Sequence, residues 1–68
     1  MKDRKGNPVK VGDIILMTVY RTEGGWAEPI QEKCKVLKIN GHCFDAEVLS
    51  TGYINRNISE RNIKKVIE

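Results

Sequence analysis

Apolar and polar residues alternate here in short runs, and turn residues interrupt them at close intervals. Gly6-Asn7-Pro8, Gly12, Gly24-Gly25, Pro29, Asn40-Gly41 and Gly52 break the chain into segments of strand length. Short β-propensive runs between such turns predict a small all-β domain, and no segment sustains a helical period with caps. The first strand is expected over about Asp13–Arg21, where Ile14, Ile15, Leu16, Met17, Thr18, Val19 and Tyr20 are β-branched, apolar or aromatic. With Ile15, Met17 and Val19 on the core side, Ile14, Leu16 and Tyr20 fall on the opposite face. Both faces are then largely apolar, which predicts a central or curled strand covered on both sides.

Residues 22–31 form the longest stretch without alternation and are expected to be irregular, with a bend at Gly24-Gly25 and a single helical turn over Ala27–Glu32 opened near Pro29. A second and a third strand, about Glu32–Ile39 and His42–Ser50, flank Asn40-Gly41, a hairpin signal. The register follows from the side chains. A two-residue Asn40-Gly41 loop would put Lys33 and Lys35 on the face of Phe44, Ala46 and Val48. A loop one residue longer, which includes His42, pairs Ile39 with Cys43 and Lys35 with Glu47. It gathers Cys34, Val36, Phe44, Ala46 and Val48 on one face. A one-residue slip turns every side chain over, and burying two lysines costs more than a less favoured turn. The longer loop is therefore predicted, with Gly41 in a left-handed conformation. A fourth strand over about Gly52–Ile58, one short helical turn at Ser59–Asn62 capped by Ser59, and a last strand over Ile63–Ile67 complete the chain.

The residues Gly6-Asn7-Pro8-Val9-Lys10-Val11-Gly12-Asp13-Ile14-Ile15 resemble the turn that leads into the first strand of many SH3-like barrels, a v-x-V-G-D-x-V pattern. In that reading Val11 tucks under the sheet, Gly12 lets the chain turn, and Asp13 hydrogen-bonds nearby main-chain N–H groups. Ile58–Val66 resembles the short turn and closing strand of the same folds. The whole chain is also similar to the prophage-encoded YorP proteins, an uncharacterised family described with five strands and a short helix. The resemblance implies an all-β, five-stranded SH3-like small barrel with one helical or 3-10 turn before the last strand, and a phage or bacterial cytoplasmic origin. It transfers no functional residue.

With 68 residues the expectation is one domain, residues 1–68. Hydrophobic residues make up 40% and charged residues 31%, a globular rather than a disordered balance. No apolar run approaches the roughly 18 residues that span a bilayer, and the charged start Met1-Lys2-Asp3-Arg4-Lys5 is not followed by a signal-peptide core. A cytoplasmic, non-membrane protein is the expectation. The formal charge of +3 is a modest excess whose signs alternate along the chain. A core this small also argues against an enclosed small-molecule cleft and for binding on the surface.

The candidate chemistry points away from catalysis. Cys34 and Cys43 fall roughly 16 Å apart along the predicted hairpin, too far for a disulfide. With His42 they form neither the paired spacing nor the four ligands of a zinc site. His42 and Cys43 are sequence neighbours, so in a strand they point to opposite faces and do not form a nucleophile–base pair. Asp45 and Glu47 read as solvated partners of lysines, and Gly24-Gly25 lacks the lysine and strand-to-helix context of a phosphate loop. No catalytic, metal or cofactor residues are expected. What remains is an aromatic and basic set: Tyr20, Arg21, Trp26, Tyr53, Arg56 and Arg61. Trp, Tyr and Arg serve as hot spots in protein interfaces and as stacking platforms for single-stranded nucleic acid. The expectation is a non-enzymatic binding module. Nucleic acid is the first partner and a host protein the alternative, with Trp26 either exposed or folded back as a lid.

Overall fold

The computed structural model describes residues 1–67, with Glu23 described through its main chain. The chain is all-β, with strands β1 (Ile14–Glu23), β2 (Trp26–Asn40), β3 (Cys43–Val48), β4 (Ile54–Ser59) and β5 (Ile63–Ile67). One 3-10 turn, Glu60–Asn62, precedes β5. All five strands lie in one antiparallel sheet, ordered β4-β3-β2-β1-β5. Among the described residues no helix is long and apolar enough to cross a membrane.

One face of this sheet supplies the core. Ile15 and Met17 of β1, Cys34 and Val36 of β2, Phe44, Ala46 and Val48 of β3, and Ile63 of β5 are buried together with Val9. The expected core face of β1 is observed, with Val19 packed against its edge. A flat sheet would leave such a face in water, so the burial depends on curl. Three register shifts supply it: at Lys64 opposite Leu16/Met17, at Leu37 between Val36 and Lys38, and at Arg56-Asn57 opposite Asp45. Each extra residue bends its strand and increases the local twist. Side chains as completely buried as Ile15, Phe44 and Ile63 each contribute about 1.5–3 kcal/mol.

The N-terminal segment closes the open end of the curl. Lys2 bridges Pro8, and the Asp3 carboxylate lies inside the turn they frame. Its Oδ1 accepts from the main-chain N–H of Lys5 (2.9 Å) and Asn7 (2.8 Å), and its Oδ2 from Asn7 Nδ2 (3.1 Å) and the Val66 N–H of β5 (3.2 Å). The turn is thereby tied to an edge strand, and Val9 is held against the core. Val9, not the expected Val11, tucks under the sheet, because Lys10–Asp13 forms a tight turn that leaves Val11 60% exposed. Asp13 behaves as expected, its Oδ2 accepting from Lys10 N–H at 2.9 Å.

Two local expectations are corrected. Residues 22–31 are not irregular and contain no helical turn. β1 and β2 continue as a ribbon to a two-residue Gly24-Gly25 turn, with Glu23 opposite Trp26 and Tyr20 opposite Pro29. Glycines at φ +58° and +87° satisfy the positive φ of such a turn, and once it forms the main-chain groups beyond it pair as strand. The second hairpin turns through Gly41-His42, with Asn40 opposite Cys43, one residue beyond the expected pairing of Ile39 with Cys43. The bulge at Leu37 absorbs the difference. The expected Lys35–Glu47 pair and the expected buried face both occur, and Ile39 also turns inward opposite Phe44. β3 ends at Val48 rather than Ser50, because Thr51 and Gly52 N–H donate to the Val48 carbonyl in a turn.

Gly41 has φ +63°, so Gly41→Val should destabilise the domain by about 1–2 kcal/mol, the cost of a side chain in left-handed backbone. A thermal melt tests this, and an unchanged midpoint would contradict the turn. Burial would raise the Asp3 pKa, but the hydrogen bonds from Asn7, Val66 and Lys5 outweigh it and hold the carboxyl below its ordinary value near 3.8. A depressed carboxylate contributes its full stabilisation above that ordinary value and loses it below, as pH falls through the lowered pKa of the folded state. Asp3→Asn should therefore lower the midpoint by several degrees at neutral pH, with the gap to wild type closing as both are acidified. A gap that stays constant with pH would show that the charge plays no part.

Candidate functional site

β1 and β2 are longer than their neighbours can pair. β5 leaves β1 after Met17, and β3 leaves β2 at Cys34, so Thr18–Gln31 project as a two-stranded arm. The molecule is accordingly elongated, 37 × 22 × 21 Å. Between the arm, the β3–β4 loop, β4 and Asn62 lies an open cleft of about 940 Å³. The sequence argued against an enclosed cleft and for binding on the surface, and this cleft is open. The arm, whose existence the sequence did not predict, provides the wall.

Four of the six expected site residues line this cleft. Tyr20 and Arg21 come from the arm, Tyr53 from the approach to β4, and Arg56 from β4. Both tyrosines are well exposed, Tyr20 at 71% and Tyr53 at 65%. The other two expected residues lie elsewhere. Trp26 stands at the arm's tip, 78% exposed, and is not a lid. Arg61 lies in the 3-10 turn outside the cleft, its carbonyl accepting from Arg4 Nε at 3.2 Å.

Arg56 is set by the β4 bulge. Arg56 and Asn57 together oppose Asp45, and Asn57 is the one non-glycine residue among the described residues with positive φ, +55°. Asparagine tolerates that conformation better than most residues, and Asp45 Oδ1 holds it by accepting the Asn57 N–H at 2.9 Å. Asp45 is thus the clamp of a bulge that re-aims its neighbour, not the solvated partner of a lysine that the sequence suggested. No sequence signal marks this, since a bulge depends on what lies across the sheet.

The cleft is mildly positive. Arg21 and Arg56 face one carboxylate, Glu32, which accepts from Ser50 Oγ at 3.0 Å. Asn55, Asn57, Thr51 and Ser59 add neutral donors and acceptors that sequence reasoning did not single out. Met17, Val19, Ile30 and Ile58 supply the apolar part of its wall.

His42 is a polar residue of the exposed β2–β3 turn. Its Nδ1 lies 3.0 Å from Glu60 Oε1, and Glu60 N–H donates to the His42 carbonyl, so the β2–β3 turn is pinned to the 3-10 turn. Among the described residues no group of three or more His, Cys, Asp or Glu is placed to hold a metal. Both cysteines are free thiols. Burial, with a smaller push from Glu32, raises the Cys34 thiol to about 11.

The fold and cleft together define a small all-β protein with an aromatic and basic surface depression. The chain belongs to the family described as Domain of unknown function (DUF7205), whose profile matches residues 1–66. No curated protein and no solved structure matches it.

Because only the thiolate reacts, iodoacetamide at neutral pH should leave Cys34 of the folded protein unmodified and alkylate it once the chain is unfolded. Peptide mass spectrometry reads this directly. Rapid modification of Cys34 in the folded protein would contradict its burial.

Proposed function

We propose that this protein is a phage- or prophage-derived cytoplasmic binding module with no enzymatic activity, built as an SH3-like barrel, and that it binds single-stranded nucleic acid in the cleft. The fold part of this reading is supported by the meander order β4-β3-β2-β1-β5 with a 3-10 turn before the last strand. The observation that carries the functional part is the convergence of Tyr20, Arg21, Tyr53 and Arg56 on one open depression. The exposed Tyr53 ring offers a face on which a base stacks, and the Arg56 and Arg21 guanidiniums meet phosphates. Asparagine and hydroxyl groups complete a wall that hydrogen-bonds without demanding one base. The cleft is open along its length, as a chain-like ligand needs.

A second reading rests on a separate observation. Trp26, exposed at the tip of a projecting arm, has the position of an anchor that inserts into a pocket of a host protein. The two readings separate by mutation, because Trp26 lies outside the cleft.

The test is fluorescence anisotropy of a labelled mixed-sequence oligonucleotide at several salt concentrations. Binding should weaken steeply with salt. Arg56→Ala should weaken it and reduce the salt slope by about one, and Tyr53→Ala should cost about 1–3 kcal/mol of binding, with melting midpoints unchanged in both. Trp26→Ala should bind as wild type does. Absence of binding at low salt, or equal binding by Arg56→Ala and Tyr53→Ala, would overturn the reading.

A further inference from the structure

The arm leaves an unpaired strand edge. Thr18–Glu23 of β1 pair with β2 on one side and lie beyond the last β5 pair, Met17–Ile63, on the other. In an antiparallel ladder the main-chain groups of successive residues turn to one neighbour and then to the other. The direction is fixed on β2 at Lys33, whose carbonyl accepts from Leu49 N–H on the side away from β1. Ala27, Pro29 and Gln31 share that parity, and the residues opposite them are Thr22, Tyr20 and Thr18. The main-chain groups of Thr18, Tyr20 and Thr22 therefore face away from β2.

The two edges of the arm are not equivalent. On β2, Pro29 occupies an outward position, so the edge lacks a donor at its centre and is blunted against strand addition. On β1 the corresponding centre is Tyr20, with its N–H intact. The sequence about that centre is self-complementary, because Thr18, Tyr20 and Thr22 read the same in both directions. We propose that two copies of this chain associate by antiparallel pairing of their β1 edges about a two-fold axis at Tyr20, which joins two five-stranded sheets into one.

In this register Tyr20 stands opposite Tyr20 of the second copy, and Thr22 opposite Thr18. On the other face Val19 stands opposite Arg21. No like charges are opposed, and aromatic and threonine pairs are favourable cross-strand neighbours. A shift of one residue toward the tip would centre the axis on Arg21 and bring two guanidiniums face to face. Tyr20, exposed in the single chain, gains cover. A continuous sheet keeps both inner faces on one side, so the two clefts would open in the same direction.

The test is sedimentation velocity of the protein without nucleic acid, from micromolar to millimolar concentration, so its outcome is independent of the cleft's ligand. Wild type should shift from monomer to dimer as concentration rises. Tyr20→Pro removes an outward N–H that the β1–β2 ladder does not use, and its φ suits an extended strand. It should remain folded by circular dichroism and stay monomeric. Tyr20→Lys, which opposes two like charges at the axis, should weaken association at least tenfold while disturbing the strand less. Ala27→Pro, at an outward position of the other edge, should dimerise as wild type does. A wild-type protein that stays monomeric throughout would overturn the proposal. So would undiminished association of folded Tyr20→Lys, or a loss of association confined to Ala27→Pro.

Discussion

A single sheet with one apolar face must curl or leave that face in water, and this constraint organises the whole chain. Among the described residues no second sheet and no helix longer than one 3-10 turn cover Ile15, Met17, Val36 and Phe44. Their burial comes from the sheet's own curvature, produced where one strand has a residue too many. Leu37, Lys64 and the Arg56-Asn57 pair are those surplus residues. Each loses a regular pairing and is exposed at the surface. The loss is offset by side chains that a flat sheet could not bury.

Curl alone leaves open ends, and polar contacts close them. At one end the Asp3 carboxylate gathers main-chain N–H groups from its own turn and one from β5, which fixes the N-terminal segment over Val9. At another, His42 and Glu60 join the β2–β3 turn to the turn before β5. Both contacts link segments far apart in sequence, and both act where hydrophobic burial runs out. Asp3 matters more because it is buried: a carboxylate out of water has to find its full set of donors within the protein, and here the structure supplies four.

Much of the architecture could be read from the order of residues. Strand count, the single turn before the last strand, and the buried face of the central hairpin follow from alternation, and lysines at 33 and 35 were enough to choose that face. Features set by partners across the sheet were not readable. The Gly41-His42 turn with a bulge at Leu37 gives the same inward face as a longer loop without one, so alternation cannot separate the two. Val9 replaced Val11 because the Lys10–Asp13 turn, not hydrophobicity, decides which valine points in. Residues 22–31 lack alternation because an arm exposed on both faces has no core to record, and the absence of a period was taken for the absence of a strand. The same blind spot divided the candidate site. Tyr20 and Arg21 meet Tyr53 and Arg56 only because the arm stands beside β4, whereas Trp26 and Arg61 share their chemistry but not their place.

The arm is also where the fold extends beyond what its core requires. Burial at Ile15 and Met17 requires β1 only as far as β5 can follow it. The residues beyond, with their partners on β2, add little to the core except Val19 at its margin. A strand pair that continues past its core exposes an aromatic tip, an unpaired edge and one wall of a cleft, each a cost to a protein selected for stability alone. Pro29 shows the cost being limited on one edge, since it removes the donor that would template pairing there. The β1 edge carries no such block, and its centre is a tyrosine between two threonines. An edge blocked on one side and left competent on the other is what the proposed pairing through β1 requires.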